Sequence, residues 1–349
     1  MAVATLSIDL AALTDNWRAL DAKSAPDVET AAVVKANGYG CDAGRISNAL
    51  SKVGAKTFFV AAAEEGVAVR ANTPRDTTIY VFSGACIDDH YILQSNNLIP
   101  LLNSPDQVKR YIGKNLDFGI QLDTGMNRLG LEPNEFKVCR DDIVAAQPQL
   151  LLSHLACADE PDHVMNREQL ASFCAMTNSL DIQKSLAATG GTLLGSRYHF
   201  DLTRPGVGLY GGYPYTDAKP VVRVSVPIIQ TRIVEAGEAV GYAAFYRANK
   251  RTKVATIAAG YADGLIRQMG NNVNGRCIKL YADNIPCELI GRVSMDLITV
   301  DITNLDHTPS HLDILCNHQT IDDLADAAGT IGYEILTSLG GRYNRVYEE

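Results

Sequence analysis

The chain has 349 residues, 46% of them hydrophobic, and a formal net charge of −9. That is the length of about two domains with sizeable cores, and its acidic balance excludes a nucleic-acid binder, because phosphate contacts need a basic face. No apolar stretch approaches the roughly 20 residues of a membrane span. The opening residues, Met1 to Leu10, show no basic region followed by a long apolar core, so no secretory signal is expected. None of the eight cysteines forms a C-x-x-C pair and most lie in apolar contexts, which fits thiols in a reducing cytoplasm. The seven histidines show no metal-ligand spacing, so no metal site is expected.

From about residue 10 to 212, strand and helix patterns alternate. Apolar strand candidates lie near 30–36, 57–62, 78–82, 98–102, 116–122, 149–154, 184–188 and 199–203. Helical patterns fit between most of them: Leu10 to Leu20, a segment around Ile46 to Leu50, then 63–71, 88–96, 105–113, 134–146 and 163–180. Ser104-Pro105 and Glu132-Pro133 are helix-start signals. Eight strands with intervening helices over about 200 residues predict a (β/α)8 barrel, with an open doubly wound sheet as the alternative.

After Pro220 the pattern changes. Residues 221–226 alternate with period two, and more strands are expected near 229–234, 252–258, 276–281, 285–290 and 297–302. Ala282-Asp283-Asn284 looks like a hairpin turn, and a short helix is expected near 320–328. The boundary is placed near residue 225. This gives a (β/α)8 barrel over 1–225 and a β-rich domain over 226–349.

In such barrels chemistry gathers at the C-terminal ends of the strands. Lys35 closes the run Ala31-Ala32-Val33-Val34, which lacks polar alternation and so belongs to a strand covered on both faces. The turn Asn37-Gly38 follows at once. Burial there would lower the amine's pKa, and a neutral amine can form a Schiff base with a carbonyl. A solvated lysine ending a strand is the plainer alternative for Lys35 alone, but it has company. Asp123-Thr124-Gly125-Met126-Asn127-Arg128 follows strand five, His154 ends strand six, Thr189-Gly190-Gly191 follows strand seven, and Arg204-Pro205-Gly206-Val207-Gly208 follows strand eight. Barrels often hold phosphate with the loops after strands seven and eight, and glycines let backbone amides approach an anion. Gly206 to Gly211 also matches G-x-G-x-x-G. Pro205 directly before it and strand-like sequence after it argue against a dinucleotide fingerprint.

The segment Val34-Lys35-Ala36-Asn37-Gly38-Tyr39-Gly40 resembles the cofactor-lysine motif of the alanine racemases, fold-type III enzymes that use pyridoxal 5'-phosphate. The resemblance continues along the chain through Leu122 to Gly130, Ser153 to Asp159, Arg204 to Gly211, Gly260-Tyr261-Ala262-Asp263-Gly264, Gly291 to Asp296, and Tyr333-Glu334. It implies that Lys35 carries the cofactor as an internal aldimine and is the base on one face of the substrate. Tyr261, from the partner subunit of a homodimer, is implied as the base on the other face. Tyr39, Thr189, Tyr333 and the amides of Gly206 and Val207 would hold the phosphate. Arg204 would face the pyridine nitrogen with His154 beside it. Arg128 would reach the cofactor's phenolic oxygen and the substrate carboxylate, with Met295 and Asp296 at the substrate's edge. The implied substrate is alanine and the implied place the cytoplasm, where the enzyme would supply D-alanine for cell-wall peptide or degrade it.

The chemistry suits these residue types. Inverting an amino acid means taking the α-proton from one face and returning one to the other, which two opposed bases do directly. Four positions depart from the family pattern. Gln121 stands where many relatives have a lysine, often carbamylated; it can accept a hydrogen bond from Arg128 but brings no charge. Ala188-Thr189 replaces the usual Asn-Ser, Ser294 replaces a common cysteine, and the tail Arg342 to Tyr347 lacks the usual proline. Broad-specificity racemases for serine, lysine or arginine share the pattern. Related decarboxylases keep an acidic partner for the pyridine nitrogen, and non-enzymatic cofactor-binding barrels lack a second domain.

Overall fold

The structure is a computed structural model that describes residues 3–114, 116–270 and 278–349. Cys277 and the first part of the strand expected near 276–281 lie outside the described residues. The chain forms two compact units. One takes Thr14–Leu209 with Pro214–Asp217, and the other takes Met1–Leu13, Tyr210–Tyr213 and Ala218–Glu349. The boundary read from the sequence lies near residue 225. The units change over at Tyr210–Tyr213 and Ala218, and the opening strand Thr5–Asp9 goes with the second unit.

In the first unit, seven parallel strands pair in sequence order: Ala32–Val33, Thr57–Val60, Thr78–Val81, Ile99–Leu102, Gly119–Gln121, Leu150–Leu152 and Lys184–Ser185. The eighth, Leu202–Thr203, pairs with Glu29–Thr30, immediately upstream of the first. Asp201 N donates to Lys184 O at 3.1 Å and Arg204 N to Ala187 O at 2.8 Å, joining strand eight to strand seven. The ring is therefore closed, and the open-sheet alternative is ruled out. Closure explains the sequence pattern. A barrel strand is covered outside by helices and inside by its opposite neighbours, so Ala31 to Val34 and residues 57–60 are buried without alternation.

Helices fall where periodicity placed them: Ala43–Lys52, Ala63–Asn72, His90–Ser95, Pro105–Tyr111, Pro133–Ala145 and Val164–Thr177. Their starts are chemically marked. Ser104 Oγ accepts from Gln107 N at 3.3 Å with Pro105 in the first turn. Glu132 N donates to Glu135 Oε2 at 3.0 Å ahead of the helix that Pro133 opens.

The second unit is built on an eight-stranded sheet. Its longest strand, Val222–Val234, runs through Pro227, where the sequence suggested two strands. The register shifts between Ile228 and Gln230, a bulge of the kind that admits proline into a ladder. Lys279–Ala282 and Ile285–Ile290 form the expected hairpin, with Asp283 at φ 51° in its turn. Thr5–Asp9 pairs antiparallel with Val222 to Ser225 and parallel with Asn344–Glu348. A helix at Ile321–Ala328 carries a reciprocal cap between Thr320 and Asp323.

Candidate active site

Strand one ends in a tight left-handed turn. Ala36, Asn37, Gly38 and Tyr39 have φ of 52°, 54°, 64° and 54°. Left-handed backbone costs about 1–2 kcal/mol for each non-glycine residue. The turn is therefore strained at Ala36, Asn37 and Tyr39, and it persists because its polar groups are tied down. Gly38 N donates to Val34 O at 2.8 Å, Gly40 N to Ala36 O at 2.9 Å, and Ala43 N to Asn37 Oδ1 at 3.1 Å. Lys35 enters this turn and Tyr39 leaves it, so the turn fixes the relation between an amine and a phenol.

The Lys35 amine is half-buried, with Nζ 5.8 Å from the centroid of the Phe82 ring. Burial lowers its pKa below the ordinary lysine value, Arg128 lowers it further, and Glu65 acts in the opposite sense. Phe82 stacks on Phe59 at 5.2 Å, and the guanidinium carbon of Arg204 lies 5.7 Å from the Phe59 centroid. An aromatic pair thus links the two cations.

Arg204 is fully buried at the end of strand eight. It donates through Nη2 to Ser153 O at 2.7 Å and through Nη1 to Ser185 Oγ, which itself donates to Leu202 O. Burial pulls its pKa down to about 9, so the guanidinium stays protonated at neutral pH. His154 is pushed down to about 3 by burial and by Arg204, Arg128 and Lys35, so its imidazole is neutral. Its carbonyl accepts from Gln169 Nε2 at 2.9 Å. Arg128 is exposed, and its amide is fixed on Asp123 Oδ2 at 3.2 Å. Gln121 does not reach Arg128. Its Nε2 donates to Leu129 O at 3.1 Å, and its Oε1 is buried without a partner. The bond from Arg128 to Gln121 that the sequence allowed is absent: Gln121 is buried and tied to the Leu129 carbonyl, while Arg128 is exposed.

The loops after strands seven and eight meet at Thr189. This buried hydroxyl accepts from Gly206 N at 3.0 Å and Gly208 N at 3.3 Å. An oxygen that accepts two amides has its own proton left to donate. A side chain on Gly206 would overlap the Tyr39 hydroxyl. Tyr39, Thr189 and the amides around Gly206 and buried Val207 therefore form one cluster of neutral donors.

The remaining candidates lie in the second unit. Tyr261 is 43% exposed and Met295 53% exposed. Their loops are laced together: Tyr261 N donates to Ser294 O and Ala262 N to Met295 O, both at 3.0 Å. Asp263 is buried and takes two bonds from Arg342, at 2.6 and 2.7 Å, while Arg342 Nη1 reaches Asp296 at 2.8 Å. Tyr333 is partly exposed on the helix Gly332–Ser338.

A family model described as Alanine racemase, N-terminal domain, matches residues 8–214, and one described as Alanine racemase, C-terminal domain, matches residues 221–347. The chain belongs to the alanine racemase family. A curated alanine racemase of Cereibacter sphaeroides is 54% identical over 349 residues, covering 99% of each chain. One of Rhodospirillum rubrum is 41% identical over 99% of this chain and 96% of its own. A crystal structure of alanine racemase from Bartonella henselae with covalently bound pyridoxal phosphate superposes with a TM-score of 0.93 at 35% identity, covering all of both chains.

As a member of this family the protein is a pyridoxal-phosphate-dependent amino-acid racemase, an isomerase. The residues present fit that cofactor. A half-buried amine with a lowered pKa, a cradle of hydroxyl and amide donors too tight for a Cβ at Gly206, and a buried guanidinium all lie at one barrel mouth. Three supporting residues had little sequence signal. Ser185 sits inside strand seven, Glu65 is one of two acids opening a helix, and Arg342 lies in a tail quoted only for its missing proline.

Proposed function

We propose that the protein interconverts L- and D-alanine by two bases on opposite faces of the α-carbon, Lys35 of one subunit and Tyr261 of the partner subunit in a homodimer. The observation that carries the reading is the Lys35 amine, half-buried at a strand end with its pKa lowered, beside the cationic Arg128 and Arg204 and the neutral His154. When bound, pyridoxal phosphate supplies the electron sink for the charge left when the α-proton departs.

The chain's own residues do the rest. Tyr39, Thr189, Tyr333 and the amides of Gly206 and Val207 would hold the phosphate, and Arg204 would face the ring nitrogen. Because a guanidinium keeps its proton, Arg204 would donate to that nitrogen without protonating it and so would moderate the sink. His154, held neutral, adds no further cation beside Arg204. Lys35 would take or return the proton at the α-carbon from one side. The Tyr261 hydroxyl would do so from the other, as its exposure on a firmly laced loop permits. Arg128 would bind the substrate carboxylate, with Met295 and Asp296 at its edge.

The decisive experiment is proton exchange in D2O. Tyr261→Phe should bind the cofactor on Lys35 and exchange the α-proton of one alanine enantiomer without racemising either. Near-wild-type racemisation by that variant would refute the two-base assignment. Parallel assays with serine, lysine and arginine separate alanine specificity from the broad-specificity alternative.

A further inference from the structure

Glu65 lies outside the motifs that mark the family resemblance, yet it bonds the backbone right after Lys35 and the backbone at the end of the neighbouring barrel strand. It stands in the first turn of the helix Ala63–Asn72, directly after barrel strand two. Its Oε1 accepts from Ala36 N at 2.8 Å, and its Oε2 accepts from Ala61 N at 2.8 Å. Ala36 is the residue after Lys35 and the first of the left-handed turn. Ala61 is the residue after strand two.

We propose that Glu65 is a positioning residue for Lys35: its carboxylate clamps the ends of barrel strands one and two together and so holds the left-handed turn that aims the amine. The inference rests on Lys35 being the cofactor's lysine.

The geometry gives the reason an acid is needed. The Ala36 amide donates to Glu65 and not to the turn's internal bonds, which run from Gly38 N to Val34 O and from Gly40 N to Ala36 O. A backbone forced into left-handed φ at three non-glycine residues needs an external anchor at its entry. An ionised carboxylate can accept from two amides at once, and each such bond is stronger than a neutral one. The same turn delivers Tyr39 to the Gly206 backbone, so the clamp sets both the amine and the phenol that leaves the turn. The charge has a second effect. The groups acting on the Lys35 amine are Arg128, which disfavours its protonation, and Glu65, which favours it, while His154 is neutral beside them.

The test compares wild type with Glu65→Gln in the full-length, cofactor-loaded protein and after cofactor removal. Glu65→Gln keeps the shape, removes the charge, and points an NH2 at one of the two amides. Amide hydrogen exchange at Ala36 or Ala61 should quicken by about tenfold or more, while exchange in the helix Val164–Thr177 stays the same. In the cofactor-free protein, the pKa governing reaction of Lys35 with added pyridoxal phosphate, trapped by borohydride and read by mass spectrometry, should fall by about half a unit or more. Unchanged exchange at both amides in folded Glu65→Gln would overturn the proposal whatever the Lys35 profile. If Glu65→Gln does not fold, Glu65→Asp serves: it keeps the charge but is too short to span both amides. Faster exchange at one amide with an unshifted Lys35 profile then supports the clamp, and unchanged exchange overturns it. Trapping on a lysine other than Lys35 in wild type would sink the assignment of the cofactor lysine, whereas the exchange result alone judges the clamp.

Discussion

A methyl group added at Gly208 tests the phosphate cradle directly. A Cβ there would stand 2.6 Å from Thr189 Cγ2, 3.2 Å from Tyr215 Cβ and 3.4 Å from Leu20 Cδ1. Ordinary contact begins near 3.4 Å, so the Thr189 methyl must move by close to 1 Å while Tyr215 gives a little. Threonine cannot yield cheaply, because its χ1 is stiff and its Oγ1 is held by Gly206 N and Gly208 N. Overpacking of this kind costs about 1–3 kcal/mol, and losing the two bonds costs about 1 kcal/mol each. Gly208→Ala should therefore destabilise the cofactor-free protein by about 3–5 kcal/mol in urea denaturation and weaken pyridoxal phosphate binding by about tenfold or more. The discriminating step is the double variant. Thr189→Ser removes the offending methyl and keeps the hydroxyl, so Gly208→Ala with Thr189→Ser should recover most of both losses, a coupling of about 1–3 kcal/mol. Wild-type cofactor affinity in Gly208→Ala, or no recovery in the double variant, would refute the reasoning.

Other outcomes follow from the same geometry. Lys35→Ala should lose the cofactor's yellow, borohydride-sensitive absorption band together with racemisation, as absorbance and polarimetry would show. Arg204→Glu should raise decarboxylation or transamination relative to racemisation, measured as pyruvate or amine formed per turnover; unchanged side-reaction ratios would count against a moderating guanidinium. The His154 pKa falls from 6.5 to about 3 on folding. The unfolded chain therefore binds more protons between those values, and stability is lost as pH drops from about 6.5 towards 3, by a few kcal/mol at most. His154→Gln should flatten urea-denaturation stability across that window. Asp263→Ala should lower stability in urea denaturation and quicken amide exchange at Tyr261, because its buried carboxylate holds both Gly260 N and Arg342.

The barrel was legible because its strands are buried on both faces, which writes unbroken apolar runs into the sequence at regular intervals. The same regularity places Lys35, His154 and Arg204 at strand ends, and each stands there. The strand expected near 184–188 is only Lys184–Ser185 in the structure, because an apolar run does not mark where the ladder bonds stop. The sheet of the second unit was harder to read. Thr5–Asp9 and Asn344–Glu348 find their partners across nearly the whole chain length, and no local pattern announces such a pairing. The two strands expected at 221–226 and 229–234 are one, Val222–Val234, with a register shift just after Pro227. The left-handed turn was hidden for a different reason. Asn37-Gly38 signals a turn, while the positive φ of Ala36 and Tyr39 comes from the hydrogen bonds that surround them.

Charge shows how local chemistry overrides bulk composition. The chain carries a net −9, yet the barrel mouth presents Lys35, Arg128 and Arg204. Its two nearby acids are taken up by backbone: Asp123 accepts from Gly125 N and Arg128 N, and Glu65 from Ala36 N and Ala61 N. Their charges lie against amides rather than against guanidinium groups, and Arg128 has no ion pair among the described residues. Burial, and then the neighbouring cations Arg204, Arg128 and Lys35, disfavour a further cation here and keep His154 neutral. An anionic cofactor and a carboxylate substrate would supply the missing negative charge. Binding either should therefore raise the His154 pKa, and an imidazole NMR titration that moves upward on adding the cofactor would measure how much of the mouth's positive potential the ligand offsets.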